Sequence, residues 1–136
     1  MARYERLLKW LLRATGVACC LALPAVVMPR SWMDIGHQWL GMGPLPEGAI
    51  VEYLARSLSA LYAFFGGLCL LVSFDIHRHS VTITFIGITH LVFAGVLLGI
   101  DLTAGLPWYW TAPEVSSAVL FGLAVLALQY KTTPRP

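Results

Sequence analysis

The residues able to do chemistry lie inside or at the edges of otherwise apolar runs. Glu52 precedes Arg56 by four positions, the better order for an ion pair along one helical face. His90 sits in the middle of another run, and Asp101 follows it by eleven residues, about three helical turns and therefore nearly the same azimuth. Glu114 stands at the polar edge of a further run. Two readings follow from these residue types. In one, Glu52, Arg56, Asp101 and Glu114 line a polar chamber open to the outside, with His90 deeper as a proton relay or ligand contact. In the other, Glu52 and Arg56 hold helices together, Asp101 ends a helix, Glu114 caps one, and His90 bonds a neighbouring helix.

Other chemistries find less support in the sequence. Three cysteines, Cys19, Cys20 and Cys69, all lie in apolar stretches, where they read as small buried hydrophobes. Cys19 and Cys20 are adjacent, which suggests neither a CxxC redox pair nor a zinc site. A bis-histidine haem needs two inward histidines at matching depth, and only His90 is placed for that. His77 and His79 flank Arg78 in a short polar loop with Asp75 as the sole carboxylate, so no metal site is expected there. No nucleophile elbow, phosphate loop or HExxH helix occurs. No catalytic residue can be named, so enzymatic activity is left open and a non-enzymatic role is the first expectation.

The elements that must position these residues follow from hydropathy. Hydrophobic residues make up 58% of the 136 positions and charged ones 12%, with a mean hydropathy of +0.74. The apolar residues fall in blocks and not in amphipathic stripes. Four blocks, at about 11–28, 51–74, 81–100 and 112–130, match the roughly 20 residues a helix needs to cross a bilayer. The expectation is an all-α, four-helix transmembrane bundle forming a single integral membrane domain over 1–136. The first block follows a basic lead and lacks a small-residue cleavage site, so it reads as a retained span. Pro24 near its end should free a carbonyl around Cys20 and kink it. Residues 31–40 place Trp32, Ile35, Trp39 and Leu40 close to one face, as in a short amphipathic helix lying at the interface. Gly41, Gly43, Pro44 and Pro46 stop it. Thr111 and Glu114 read as a capping box opening the fourth span, with Thr111 as N-cap.

Small residues form helix-packing seams: Ser59, Ala63 and Gly67 in the second span, Gly87 and Ala94 in the third, Ala118 and Gly122 in the fourth. Orientation follows from the basic residues. Arg3, Arg6, Lys9, Arg13, Arg78, Lys131 and Arg135 fall on one side, against Arg30 and the border residue Arg56 on the other. Because basic residues resist translocation, both termini are expected in the cytoplasm. Trp32, Trp39, Trp108, Tyr109 and Trp110 then anchor the outer interface. The net charge of +2 and the scattered basic residues point away from nucleic acid.

The size, the four spans, the long first outer loop and the polar Glu52-Tyr53-Leu54-Ala55-Arg56 entrance to the second span resemble the small bacterial DoxX-like membrane proteins and neighbouring families. That resemblance covers most of the chain and implies a bacterial inner-membrane protein. Some DoxX-type proteins are associated with membrane redox complexes, which makes a quinone the one cofactor the resemblance suggests. The first helix departs from the family's arginine-and-glycine signature, so no functional residue carries over. The expected role is an accessory or structural subunit of a membrane complex, or a homo-oligomer. A small transporter or ligand-binding protein, or a quinone-linked redox partner, are the alternatives. Its partners are lipid and a protein, either a second copy or another subunit.

Overall fold

The computed structural model, described for residues 2–132, is all-α. Its helices are α1 (Ala2–Cys20), α2 (Arg30–Trp39), α3 (Ala49–Phe74), α4 (Ser80–Ala104) and α5 (Trp108–Thr132), with a 3₁₀ turn over Leu23–Val26. Four segments, Ala2–Val26, α3, α4 and α5, are long and apolar enough to cross a bilayer, consistent with a four-helix membrane bundle. The chain is therefore a small multi-pass membrane protein whose helices meet lipid.

Several element boundaries differ from the hydropathy blocks. α1 begins at Ala2 and not near Leu11, because the basic lead is itself rich in Arg, Glu, Leu and Lys, all strong helix formers. It ends at Cys20, and Pro24 opens the 3₁₀ turn instead of kinking a continuous helix. α5 starts at Trp108, so Thr111 is not an N-cap. The Pro107 carbonyl takes the Trp110 and Thr111 N–H groups at 2.9 and 3.2 Å and nucleates the helix earlier. Pro113 consequently lies within α5, where it has no N–H to give the Tyr109 carbonyl. Arg135, counted among the inner basic residues, lies outside the described residues.

Two compact units make up the chain: Leu12–Leu71, and the first eleven residues with those from Val72 onward. In the first unit α1 and α3 approach backbone to backbone. A Cβ added at Gly66 would lie 2.6 Å from the Gly16 carbonyl oxygen, and one at Gly16 would lie 2.9 Å from that of Gly66. Only glycine permits such proximity, which the absence of a hydrophobic drive between helices in lipid makes worthwhile.

In the second unit α4 and α5 form a hairpin around the equivalent pair Gly87 and Gly122. A Cβ at Gly122 would come within 2.9 Å of the Gly87 carbonyl oxygen. α4 buries Ile83, Ile86, Gly87, Ala94 and Asp101, while α5 buries Ala118, Gly122, Val125, Gln129 and Thr132. Leu8, Val72 and Ile76 add to this core. Gln129 Nε2 donates to the Ser80 carbonyl at 3.4 Å where α4 begins and α5 ends.

The ends of α2 and α4 are built alike. Gly41 and Gly105 take φ of 75° and 69°, and the next N–H groups, of Met42 and Leu106, bond back to His37 and Asp101 carbonyls at 3.2 and 3.0 Å. These are Schellman closures, which need a left-handed residue and so favour glycine.

Candidate functional site

In the first unit the polar groups gather around the connection between α1 and α3. Arg56 Nη1 donates to the Val26 carbonyl at 3.1 Å, and its Nη2 donates to that of Met28 at 3.2 Å. Arg30, from the first turn of α2, donates to the Leu45 and Pro46 carbonyls at 3.1 and 2.9 Å. Glu52 lies between the two guanidinium groups, 3.3 Å from Arg30 and 3.4 Å from Arg56. The i,i+4 pair read from the sequence is present, and Arg30 completes it. The carboxylate contacts are long for charge-assisted bonds, so the backbone contacts carry more of the energy. Both arginines bind carbonyls that have no helical partner, at opposite ends of the connection. The arrangement is a clamp on a loop.

Asp34 reinforces that connection. Its Oδ1 accepts the Leu45 N–H at 2.7 Å and its Oδ2 accepts Gln38 Nε2 at 2.8 Å. His37 Nδ1 lies 2.8 Å from the Gly43 carbonyl oxygen and donates to it. With both polar faces of α2 occupied in this way, Trp32, Ile35 and Trp39 remain exposed on the other. Trp108 and Tyr109 are exposed as well, and Trp110 is half-buried.

The second unit holds His90, Asp101 and Glu114. His90 donates from Nδ1 to the Ile86 carbonyl of its own helix at 2.9 Å. That bond is within α4. The ring packs edge-on against Phe121 of α5, with centroids 4.6 Å apart. Asp101 is buried in the last turn of α4, and its Oδ2 meets no hydrogen-bond donor among the described residues. Glu114 is half-buried, accepts a hydrogen bond from the Trp110 side chain and feels the Asp101 charge.

Of the seam residues, Ala63, Gly87, Ala94, Ala118 and Gly122 are buried. Ser59 Oγ donates to the Ala55 carbonyl of its own helix at 2.8 Å. Gly67 is exposed with nothing within 4 Å of an added Cβ; the close approach is made by Gly66, one position earlier. Cys19 and Cys20 flank this same Gly66, and Cys20 Sγ lies 3.7 Å from the Ala63 carbonyl oxygen. Cys69 is buried, and all three thiols are free.

In the connection between α3 and α4, His77 Nε2 lies 3.5 Å from Glu5 Oε1. The Arg78 N–H, 3.0 Å from Asp75 Oδ1, holds the Asp75 carboxyl below its ordinary value, aided by the charges of His79 and His77. Among the described residues no three His, Cys, Asp or Glu side chains converge as metal ligands. A groove of about 640 Å³ in the second unit is open and lined mainly by apolar groups such as Leu98, Leu102, Trp108 and Val119, with Thr111 and Ser116 among them.

Arg30, Asp34, Gly16 and Gly66 are the residues that sequence reasoning missed. The signal for Arg30 was available: a lone cation on the outer side needs an anionic or carbonyl partner. For Gly66, stepping along the helix from Ser59 and Ala63 led to the adjacent Gly67 instead.

No protein-family model matches the chain, and no curated protein or solved structure matches it significantly.

Proposed function

We propose that this protein is a small inner-membrane accessory subunit that works by associating with another membrane-spanning helix, from a second copy or a partner subunit. The observation that carries the reading is on α4. Gly95 and Gly99 are four apart and exposed, and a Cβ added at either would meet nothing within 4 Å. Open small-xxx-small faces on spanning helices serve close helix approach, since lipid itself gains nothing from a glycine. The charged groups of the first unit, engaged with their own loop, agree with a structural role.

The distribution of basic residues supports a layout with both termini in the cytoplasm, in which the exposed Trp32, Ile35 and Trp39 face of α2 would rest on the outer interface. The DoxX-like layout fits an accessory role beside a membrane redox complex, for which quinone retained on purification is the direct check.

The test is self-association and co-purification in mild detergent, compared with Gly95→Leu and Gly99→Leu. The wild type should form an oligomer or retain a partner, and the leucine variants should run as folded monomers. A wild-type chain that is monomeric both in detergent and by cross-linking in native membranes would defeat the proposal.

A further inference from the structure

The outer end of the α4–α5 hairpin contains an arrangement that neither the loop clamp nor helix association uses. Its geometry follows from the hairpin's register. Ser80 meets Gln129, Gly87 meets Gly122 and His90 meets Phe121. Continued outward, the same register sets Asp101 opposite Trp110, with Glu114 one turn deeper on α5. The contacts agree: Glu114 accepts a hydrogen bond from Trp110 and feels the charge of Asp101.

Asp101 is 2% exposed, yet its Oδ2 has no donor among the described residues. A carboxylate oxygen buried in this way is costly in a membrane protein unless a cation or donor faces it. The nearest acidic neighbour makes the electrostatics worse, and the α4 C-terminus adds its own partial negative charge. The Schellman closure uses the Asp101 and Leu102 carbonyls, leaving the last carbonyls of α4 without helical donors. Every one of these features favours positive charge.

We propose that Asp101 and Glu114, beside the Trp110 side chain, bind a small hard metal cation at the outer end of the α4–α5 hairpin. Oxygen donors of this kind suit sodium or calcium, and the absence of a third His, Cys, Asp or Glu at the site, among the described residues, speaks against a transition metal. Half-helix C-termini with carboxylates serve cations similarly in other membrane proteins. The site is independent of the association proposed for α4.

The experiment measures binding of ²²Na⁺ and ⁴⁵Ca²⁺ to the full chain in nanodiscs, with thermal midpoints recorded with and without each ion. Wild type should bind one of the two saturably and gain thermal stability with it. Asp101→Asn should weaken the affinity by about tenfold or more, because half of the formal charge on the site is removed. The same variant, freed of an unpartnered charge, should melt no lower than wild type when no cation is present. Glu52→Gln, remote in role from this hairpin, should bind as wild type does. If Asp101→Asn fails to fold, Glu114→Gln at its half-buried position supplies the comparison, and it too should lose affinity. Absence of saturable binding of both ions overturns the proposal. Undiminished binding in whichever of these two carboxylate variants folds does so as well.

Discussion

Arg56 and Glu52 illustrate how little a charged pair reveals until its other partners are known. Glu52 is held at 3.3 and 3.4 Å by two guanidinium groups, whereas each arginine also binds two loop carbonyls. Removing Arg56 strands the Val26 and Met28 carbonyls, while replacing Glu52 by its amide keeps an acceptor. Arg56→Met should therefore cost about 1–3 kcal/mol, and Glu52→Gln less than about 1 kcal/mol because partly exposed ion pairs contribute little. Equilibrium unfolding in mixed micelles checks the order; equal costs would show the ion pair to dominate. Asp75 gives a pH-dependent counterpart. Its carboxyl, held below the ordinary value of 3.8 by the Arg78 N–H, favours the folded loop at neutral pH. That contribution is intact above the ordinary value and disappears as the pH falls through the depressed one. Asp75→Asn should flatten the acid side of the stability profile, and an NMR titration of the carboxyl should show the depressed value directly.

Helix pairing in both units depends on glycine, and the contacts rank the consequences. At Gly66 an added methyl meets a backbone oxygen at 2.6 Å, at Gly122 one at 2.9 Å, and at Gly87 a flexible Leu126 side chain at 2.7 Å with backbone only at 3.3 Å. Overpacking typically costs about 1–3 kcal/mol, against a gain of up to about 1 kcal/mol for replacing a helical glycine by alanine. Gly66→Ala should be the most damaging, Gly122→Ala next and Gly87→Ala the mildest. Gly67→Ala, open to its surroundings, should be neutral or slightly stabilising. Thermal midpoints of the four variants decide this, and a damaging Gly67→Ala would contradict the assignment of Gly66 as the contact.

The four spanning helices, with mean hydropathies of 1.4 to 2.2 in their most apolar windows, leave most of their surface apolar and open, as lipid requires. Which way the chain is threaded depends on charge. Reporters fused at either end should be read from the cytoplasm, and reporters placed after Gly43 or Leu106 from the opposite side. A terminus accessible from outside would reverse the assignment of α2 and of the Asp101 hairpin end to the outer surface.

Hydropathy alone was sufficient for the membrane class, the number of spans, the short helix with Trp32 and Trp39, and the Glu52–Arg56 pairing. These are legible because bilayer thickness imposes a length on apolar runs, and helical periodicity puts residues four apart on one face. The buried Ala118 and Gly122 of the fourth span were legible for the same reason. Helix ends were not, because α1 extends back through its helix-forming basic lead and α5 is nucleated early by the Pro107 carbonyl. Nor was the choice of Gly66 over Gly67, the identity of the carbonyls and carboxylate that Arg30 meets, or the unmet oxygen of Asp101. Those depend on which atoms meet across segments far apart in the chain, and one degree of helix rotation after another accumulates into a contact that no local spacing specifies.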